Sequence, residues 1–451
     1  MASIKARPDR GGKWEAQYRD ASGRRHRRQF DRKRDAEKWI DEVTAAVVTG
    51  TYVDPKAGRM TFREYADHWR SVQVHRESTA DQIERNFRNH VYPVLGDKQL
   101  ASILRSDVQG LVKKLSMTLA PATVSVIYRH VSSVLKAAVA DRKLATSPCV
   151  GVSVPKARKA KVVPLEVDLV TEIAEAVPPR YRAMVIVDAA TGLRQGEIWG
   201  LTVDRVDFLR RTANVDRQLV SVAGARPSFG PLKTEASYRV VPLPKVAVEA
   251  LAAHLAEFPT GRDGLIFTSS TGAPLRRSAF GDVWRAAVVE AQRKFALAHP
   301  QVLLEAVARV FLDAPAAQRL DRVALGFKLS PKRVGEVVTE AREAGLIPAE
   351  GASAGEVVLA RARLGERDER VVFHELRHFY ASLLIRHGES VKTVQARLGH
   401  ASAVETLDTY SHLWPDSDDL TRDAVDSALG SAVHQVSTSG DSESRLRRSE
   451  A

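Results

Sequence analysis

Residues 154–163 contain four cations and no acid, and they divide the chain. Lys156, Arg158, Lys159 and Lys161 lie between Pro155 and Pro164. Proline fixes φ and lacks an N–H donor, so a segment bracketed by two of them neither extends a helix nor joins the middle of a sheet. Such a stretch reads as a linker, here one suited to lie along a phosphate backbone. Bodies of different character must then fold on either side of it, and 451 residues suffice for two to four domains.

Upstream, residues 60–150 read as wholly helical. Thr61 and Glu64 form a capping box ahead of an apolar face of Phe62, Tyr65, Ala66 and Trp69. A second box over 79–82 precedes Ile83, Phe87 and Val91. A third helix is expected to begin at Ser106, with Val108, Leu111, Val112 and Leu115 inside. Pro121 opens a fourth that buries Ile127, Val131, Val134, Leu135 and Ala138. Exposed Arg85, Arg88, Arg129, Lys136 and Arg142 are candidate phosphate contacts, each more simply read as solvated.

Residues 1–54 form a separate basic module with 13 cations against 9 acids. Trp14, Ala16 and Tyr18 alternate with polar residues as a strand does. A turn over 20–23 leads to a second strand bearing Arg24, Arg25, Arg27, Arg28 and Phe30. Ala36, Trp39, Ile40 and Val43 then have helical spacing. A small sheet backed by a helix would set those arginines against a DNA groove; a solvated charged hairpin is the simpler alternative.

Downstream of the linker the pattern is mixed. Helices are expected over 181–190 and 246–258, and strands within 203–222 and over 238–243. A short buried strand is expected at Leu265, Ile266 and Phe267. From about 292 to 368 an additional helical segment intervenes, with Val302 to Phe311 in one helix. Ser330 and Pro331 open another that carries Val334, Val337, Val338 and Ala341 and stops at Gly345. Lys332 and Arg333 near its start are similar to the N-terminal residues of a helix-turn-helix reading helix. The segment is therefore either a DNA-reading or partner-docking subdomain or a packed spacer. A short helix over 420–429 and a disordered Ser-rich tail over 431–451 complete the chain.

The formal net charge of +13 suggests a polyanionic partner, nucleic acid first. The single cysteine, Cys149, precludes an intrachain disulfide and fits a reducing cytoplasm. No apolar run approaches a membrane span, and the start lacks a signal-peptide core. A cytoplasmic, nucleoid-associated protein is the expectation.

Six polar residues stand in fixed order beyond the linker: Arg194, Lys233, His374, Arg377, His400 and Tyr410. They are what phosphodiester transfer to a tyrosine hydroxyl requires without a metal. Arginine forks match the non-bridging phosphate oxygens, which assigns Arg194 and Arg377 as clamp. Tyr410 supplies the nucleophilic oxygen. Lys233, on an expected hairpin turn, suits a general acid for the leaving 5′ oxygen. His374 lies three residues before Arg377, on the same helical face, and can assist proton transfer from the tyrosine. His400 can donate to the phosphate, and Glu197 can orient the arginines. His378 and His412 read as structural.

The contexts Thr191-Gly192-Leu193-Arg194, His374-Glu375-Leu376-Arg377-His378, Leu398-Gly399-His400 and Leu407-Asp408-Thr409-Tyr410 resemble the tyrosine recombinase, or phage integrase, family. The resemblance runs over residues 1 to about 425. It implies a multidomain, mainly α protein with small β-sheets: an arm-type DNA-binding module (1–54), a helical core-binding domain (60–150), the linker (151–164) and an α+β catalytic domain (165–430). It implies a 3′-phosphotyrosyl intermediate, a homotetramer on double-stranded DNA attachment sites, a Holliday junction and no metal or nucleotide cofactor. A directionality factor and a host DNA-bending protein stand as candidate partners. The inserted segment departs from the family pattern. A resident or transposon recombinase, a type IB topoisomerase and a DNA-binding regulator with an inactive site are the competing readings. The basic N-terminal module disfavours the topoisomerase, and the intact six residues disfavour the regulator.

Overall fold

The computed structural model describes residues 2–8, 12–19, 23, 25–48, 57–157, 161–222, 224–364, 370–414, 422–423 and 425–427. The chain separates into two compact units, Met1–Lys159 and Ala160–Ala451. Arg24, Arg158, Lys159 and the Ser-rich tail lie outside the described residues, as do half of residues 420–429.

The N-terminal strands are β1 (Ser3–Arg7), β2 (Lys13–Arg19) and β3 (Arg25–Phe30), an antiparallel sheet in that order, followed by helix α1 (Lys33–Val48). The strand β1 was not anticipated, because Ile4 and Ala6 alternate over too few residues to stand out. Paired residues share a face. Tyr18 opposite His26 and Trp14 opposite Phe30 therefore lie on the side where Trp39 of α1 packs, its ring 5.3 Å from Tyr18 and 5.6 Å from Phe30. The other face carries Lys5, Arg7, Lys13, Arg19, Arg25 and Arg27 around one acid, Glu15.

The helical body comprises α2 (Phe62–Val72), α3 (Glu77–Asn86), α4 (Arg105–Ser116) and α5 (Pro121–Ala140), with a π-helical turn, Phe87–Gly96, continuing α3. The expected stripes are its core: Phe62, Ile83, Leu95, Leu111, Ile127 and Leu135 are all about fully buried. The capping box at Thr61 forms with both reciprocal bonds. Two expected starts move. The helix α3 begins at Glu77 with no side-chain cap, so Thr79 lies inside it. The helix α4 begins at Arg105, where the Asp107 carboxylate accepts from Leu104 N at 3.0 Å.

The second unit begins with α6 (Val167–Ala176), α7 (Pro179–Thr191) and the single turn α8 (Gln195–Trp199). Strands β4 (Val206–Asp207) and β5 (Thr212–Val215) pair with β8 (Arg239–Pro242), while β6 (Gln218–Val220) and β7 (Ser228–Gly230) form a hairpin. Helices α9 (Lys245–Glu257) and α10 (Arg277–Ala298) follow. Leu265, Ile266 and Phe267 are buried as expected but make only a lone bridge, Thr202 to Leu265, not a strand. Phe280 anchors the core, its ring within 5.5 Å of Tyr181, Trp199 and Phe373.

The helix α10 runs unbroken past residue 292, so the excursion begins at His299. It contains α11 (Pro300–Asp313), α12 (Arg319–Phe327), α13 (Pro331–Glu343) and α14 (Ala354–Leu364) around a second core, joined by Ala296 at the end of α10 and including Leu303, Val307, Val323, Phe327, Val334 and Val337. Lys328 ends α12 at φ 53°, and the Ser330 hydroxyl accepts from Arg333 N to start α13, giving helix, tight turn, helix. Beyond it come α15 (Glu375–Arg386), α16 (Val391–Leu398) and α17 (Ala403–Tyr410). None of the described helices is long and apolar enough to cross a membrane.

Candidate active site

Two helix ends bring the arginines together. The helix α7 ends on Gly192 at φ 62° and α16 on Gly399 at φ 64°. A Cβ at Gly192 would run into the Tyr380 ring, and one at Gly399 would sit 3.0 Å from the Ala236 carbonyl. Only glycine makes both turns. These turns aim carbonyls inward. Arg377, 2 % exposed, donates from Nη1 to Gly192 O and from Nη2 to Leu398 O, each at 2.6 Å. Arg194 donates from Nη2 to Gly399 O at 2.9 Å and from Nη1 to Ser237 Oγ at 3.1 Å and Glu197 Oε1 at 3.0 Å. Both guanidiniums keep N–H groups beyond these, enough to meet an anion.

Glu197 is the buried counter-charge. It accepts from Arg194 through backbone N and Nη1 and from Arg239 Nη2 at 2.9 Å. Burial pushes its carboxyl up, but Arg239 and Arg194 outweigh that and hold it below the usual range. Burial, then the charge of Arg194, lowers the Arg377 guanidinium to about 10, still protonated at neutral pH. Arg239 was missed in the sequence. It opens β8, and its donors fix the Arg397 and Ser237 carbonyls besides Glu197. Nothing in its spacing set it apart from a strand residue.

Tyr410 ends α17 and is 1 % exposed. Burial raises its phenol to about 12, with Arg377 opposing. Its hydroxyl lies 2.7 Å from Nδ1 of His378, the histidine read as structural. The signal was present: His378 is one turn after His374, on the same helix face. The His374 ring stands edge-on to His378 at 4.9 Å, open to solvent on one side. His400 is buried with Nδ1 2.8 Å from Thr406 Oγ1. Desolvation, then neighbouring positive groups, lowers His374 and His378 to about 4 and His400 to about 3, so all three are neutral at pH 7.

Lys233 is exposed and lies beyond the hairpin rather than on its turn, three residues after β7. Buried Leu232 anchors its loop on one side. On the other, Thr234 Oγ1 lies 2.9 Å from Ser237 Oγ, which accepts from Arg194. His412 holds the Val162 carbonyl at 2.8 Å, in keeping with a structural role. Among the remaining candidates, Arg25 and Arg27 point to the sheet's open face. Arg28 shares the α1 side, its guanidinium 5.2 Å over the Phe30 ring. Lys156 and Lys161 are exposed. Arg85 and Arg88 are paired within their helix to Asp81 and Glu84. Among the described residues no cluster of His, Cys, Asp or Glu is arranged to hold a metal ion.

The arrangement can therefore bind a phosphate between two guanidiniums already oriented by fixed carbonyls, beside a buried phenol and three neutral imidazoles. The model of the phage integrase family matches residues 163–310 and 353–416, and that of the phage integrase central domain matches 61–153. The prophage phiRv2 integrase of Mycobacterium tuberculosis (strain ATCC 25618 / H37Rv) is 26% identical over 270 residues, covering 57% of this chain and 70% of that protein. The integrase of Mycobacterium phage D29 is 26% identical over 296 residues, covering 61% and 76%. Among solved structures, the Tn1549 transposon integrase in complex with a circular intermediate DNA superposes with a TM-score of 0.56 at 18% identity, over 82% of this chain and 99% of that one, a likeness of fold. The family match passes over 311–352, which holds α12 and α13.

Proposed function

The chain belongs to the phage integrase family, and on that footing we propose that it is a site-specific tyrosine recombinase that integrates a phage or mobile element by cutting and rejoining DNA strands. The observation that carries this reading is the convergence of Arg194 and Arg377 on the carbonyls of Leu398 and Gly399, next to His400 and within the same unit as Tyr410.

In the proposed reaction the scissile phosphate takes the N–H groups that the carbonyls leave to Arg194 and Arg377, and Glu197 with Arg239 keeps the first of these oriented. The Tyr410 oxygen attacks phosphorus, and the 5′ oxygen leaves with a proton from Lys233. His400 donates to a non-bridging oxygen. The 3′-phosphotyrosyl bond conserves the energy of the broken one, so a second 5′ hydroxyl can rejoin the strand without a nucleotide cofactor. A homotetramer on paired attachment sites, with a directionality factor and a host DNA-bending protein, completes the proposal. In it the open face of the N-terminal sheet and the linker cations Lys156 and Lys161 contact duplex DNA.

Incubation with a nicked suicide substrate carrying the attachment site is expected to give an SDS-resistant protein–DNA adduct. Tyr410→Phe should abolish the adduct and leave DNA affinity near wild type. An adduct that persists in Tyr410→Phe contradicts the nucleophile; no adduct from wild type on a verified site contradicts the recombinase.

A further inference from the structure

Resting on that recombinase reading, we propose that His378 is the proton acceptor for Tyr410: its Nδ1 takes the phenolic proton as the tyrosine oxygen attacks phosphorus. Sequence spacing had pointed to His374 for help with this proton. The hydroxyl, however, lies 2.7 Å from Nδ1 of His378, within the reach a general base needs.

The electrostatics fit an acceptor that binding switches on. An imidazole held neutral by desolvation and by Arg377 leaves Nδ1 open to receive, provided its own proton sits on Nε2. The groups facing it are Arg377 on its own helix, His374 one turn before, His400 after α16 and Tyr410 on α17. Apart from the neutral phenol these are cationic or can become so, while the carboxylates of Glu375 and Glu405 bear on the phenol and oppose its ionisation. A phosphate seated between Arg194 and Arg377 adds negative charge on the guanidinium side of the ring. That charge raises the proton affinity of His378, while Arg377 favours the phenolate form of Tyr410. The base is therefore weak in the empty site and strengthens when DNA is in place.

The step balances. The Tyr410 O–H bond breaks and its proton passes to His378 Nδ1. The oxygen pair forms the bond to phosphorus, the bond to the 5′ oxygen breaks, and that oxygen takes its proton from Lys233. On rejoining, the incoming 5′ hydroxyl returns its proton to Lys233, and imidazolium His378 returns its proton to Tyr410. No oxidant or further reactant enters.

The test is single-turnover cleavage of the suicide substrate by the full chain. It compares a bridging 5′ oxygen at the scissile phosphate with a bridging 5′ sulfur, a leaving group that needs no proton. His378→Asn keeps an acceptor where Nδ1 stood but cannot take the proton. It is expected to cleave both substrates roughly 100-fold or more slowly than wild type, in the range for loss of a general base. The deficit should shrink as pH rises toward the phenol's own ionisation. Lys233→Ala should be restored by sulfur; His378→Asn should not. His378→Ala, with room for a free ring, should regain rate on addition of imidazole. Wild-type rate and pH profile in His378→Asn, or full rescue of it by sulfur, overturns the base while leaving the recombinase reading intact. Absence of any wild-type adduct overturns that reading and the base with it.

Discussion

Asp188 on α7 is 1 % exposed, and neither of its carboxylate oxygens has a hydrogen-bond partner among the described residues. Burial raises its carboxyl well above the usual range, with Arg377 opposing and Glu197 adding to the rise. A folded-state pKa raised in this way favours the native state only below the unfolded value of about 4, and the contribution is lost as pH climbs. Asp188→Asn should therefore melt above wild type near neutral pH, the gap closing as pH falls toward 4; a variant that melts lower throughout would show a paired carboxylate. Single residues were unevenly legible. Arg194, Glu197, Arg377, His400 and Tyr410 stand in short runs whose order is distinctive. Arg239 and Asp188 could not be foreseen, because what sets them apart is burial beside groups distant in sequence, the Arg397 carbonyl for Arg239 and the Arg377 charge for Asp188.

Elements were read best where one stripe decides the matter. The capping box of α2, the Pro121 start of α5 and the Ser330 cap of α13 lie where local chemistry puts them. The strand at 265–267 failed because a short apolar run does not say whether a partner strand exists. The N-terminal sheet sorts its cations by parity, which yields a prediction. Arg25→Ala with Arg27→Ala should lower the salt slope of duplex binding by about 2, whereas Arg28→Ala should lower it less. Fluorescence anisotropy across a salt series measures this, and an equal loss from Arg28→Ala would refute the sorting. The inserted helices differ in charge from the rest. Residues 311–352 carry six cations and six acids, and Arg333 is bound by Glu336 and Glu340. A helix, a tight turn and a second helix are thus present without the cationic surplus that favours phosphate contact. Their separate core makes them a stability unit: Phe327→Ala should cost about 3–5 kcal/mol locally. Hydrogen exchange should then quicken in α11–α13 and stay slow in α7.

Across the whole molecule the site's histidines set an acid limit. Their folded pKa values are depressed from the usual 6.5, so their contribution is present above about 6.5 and lost as pH falls through about 4 to 3. For His378 and His400, the less exposed pair, unfolding free energy should fall by up to about 1.4 kcal/mol per pH unit each across that window. Denaturant titrations of Asp188→Asn, which removes the opposing carboxyl, check the sign between neutral pH and pH 4; stability of that variant that rose on acidification would contradict the neutral rings. The sequence expects a division at the basic linker, where two prolines bracket a run without acid, and the two compact units divide between Lys159 and Ala160.

The helix α10 also fixes how little chain this architecture needs between its last core turn and α15. Trp284 donates from Nε1 to Val371 O at 2.8 Å, and Phe373 packs 5.0 Å from the Trp284 ring, so the returning chain is clamped some 14 residues before α10 ends. At 1.5 Å per residue that is about 20 Å of helix, a gap that some six or seven extended residues would cross. The natural route uses about ten times that length. A shortcut joining the end of α10 to residue 370 should retain the clamp, fold, and form the Tyr410 adduct; failure to fold would place part of the frame in the detour. On this geometry the detour is surplus to connectivity, a graft port that another domain of similar end separation could occupy without re-aiming the site.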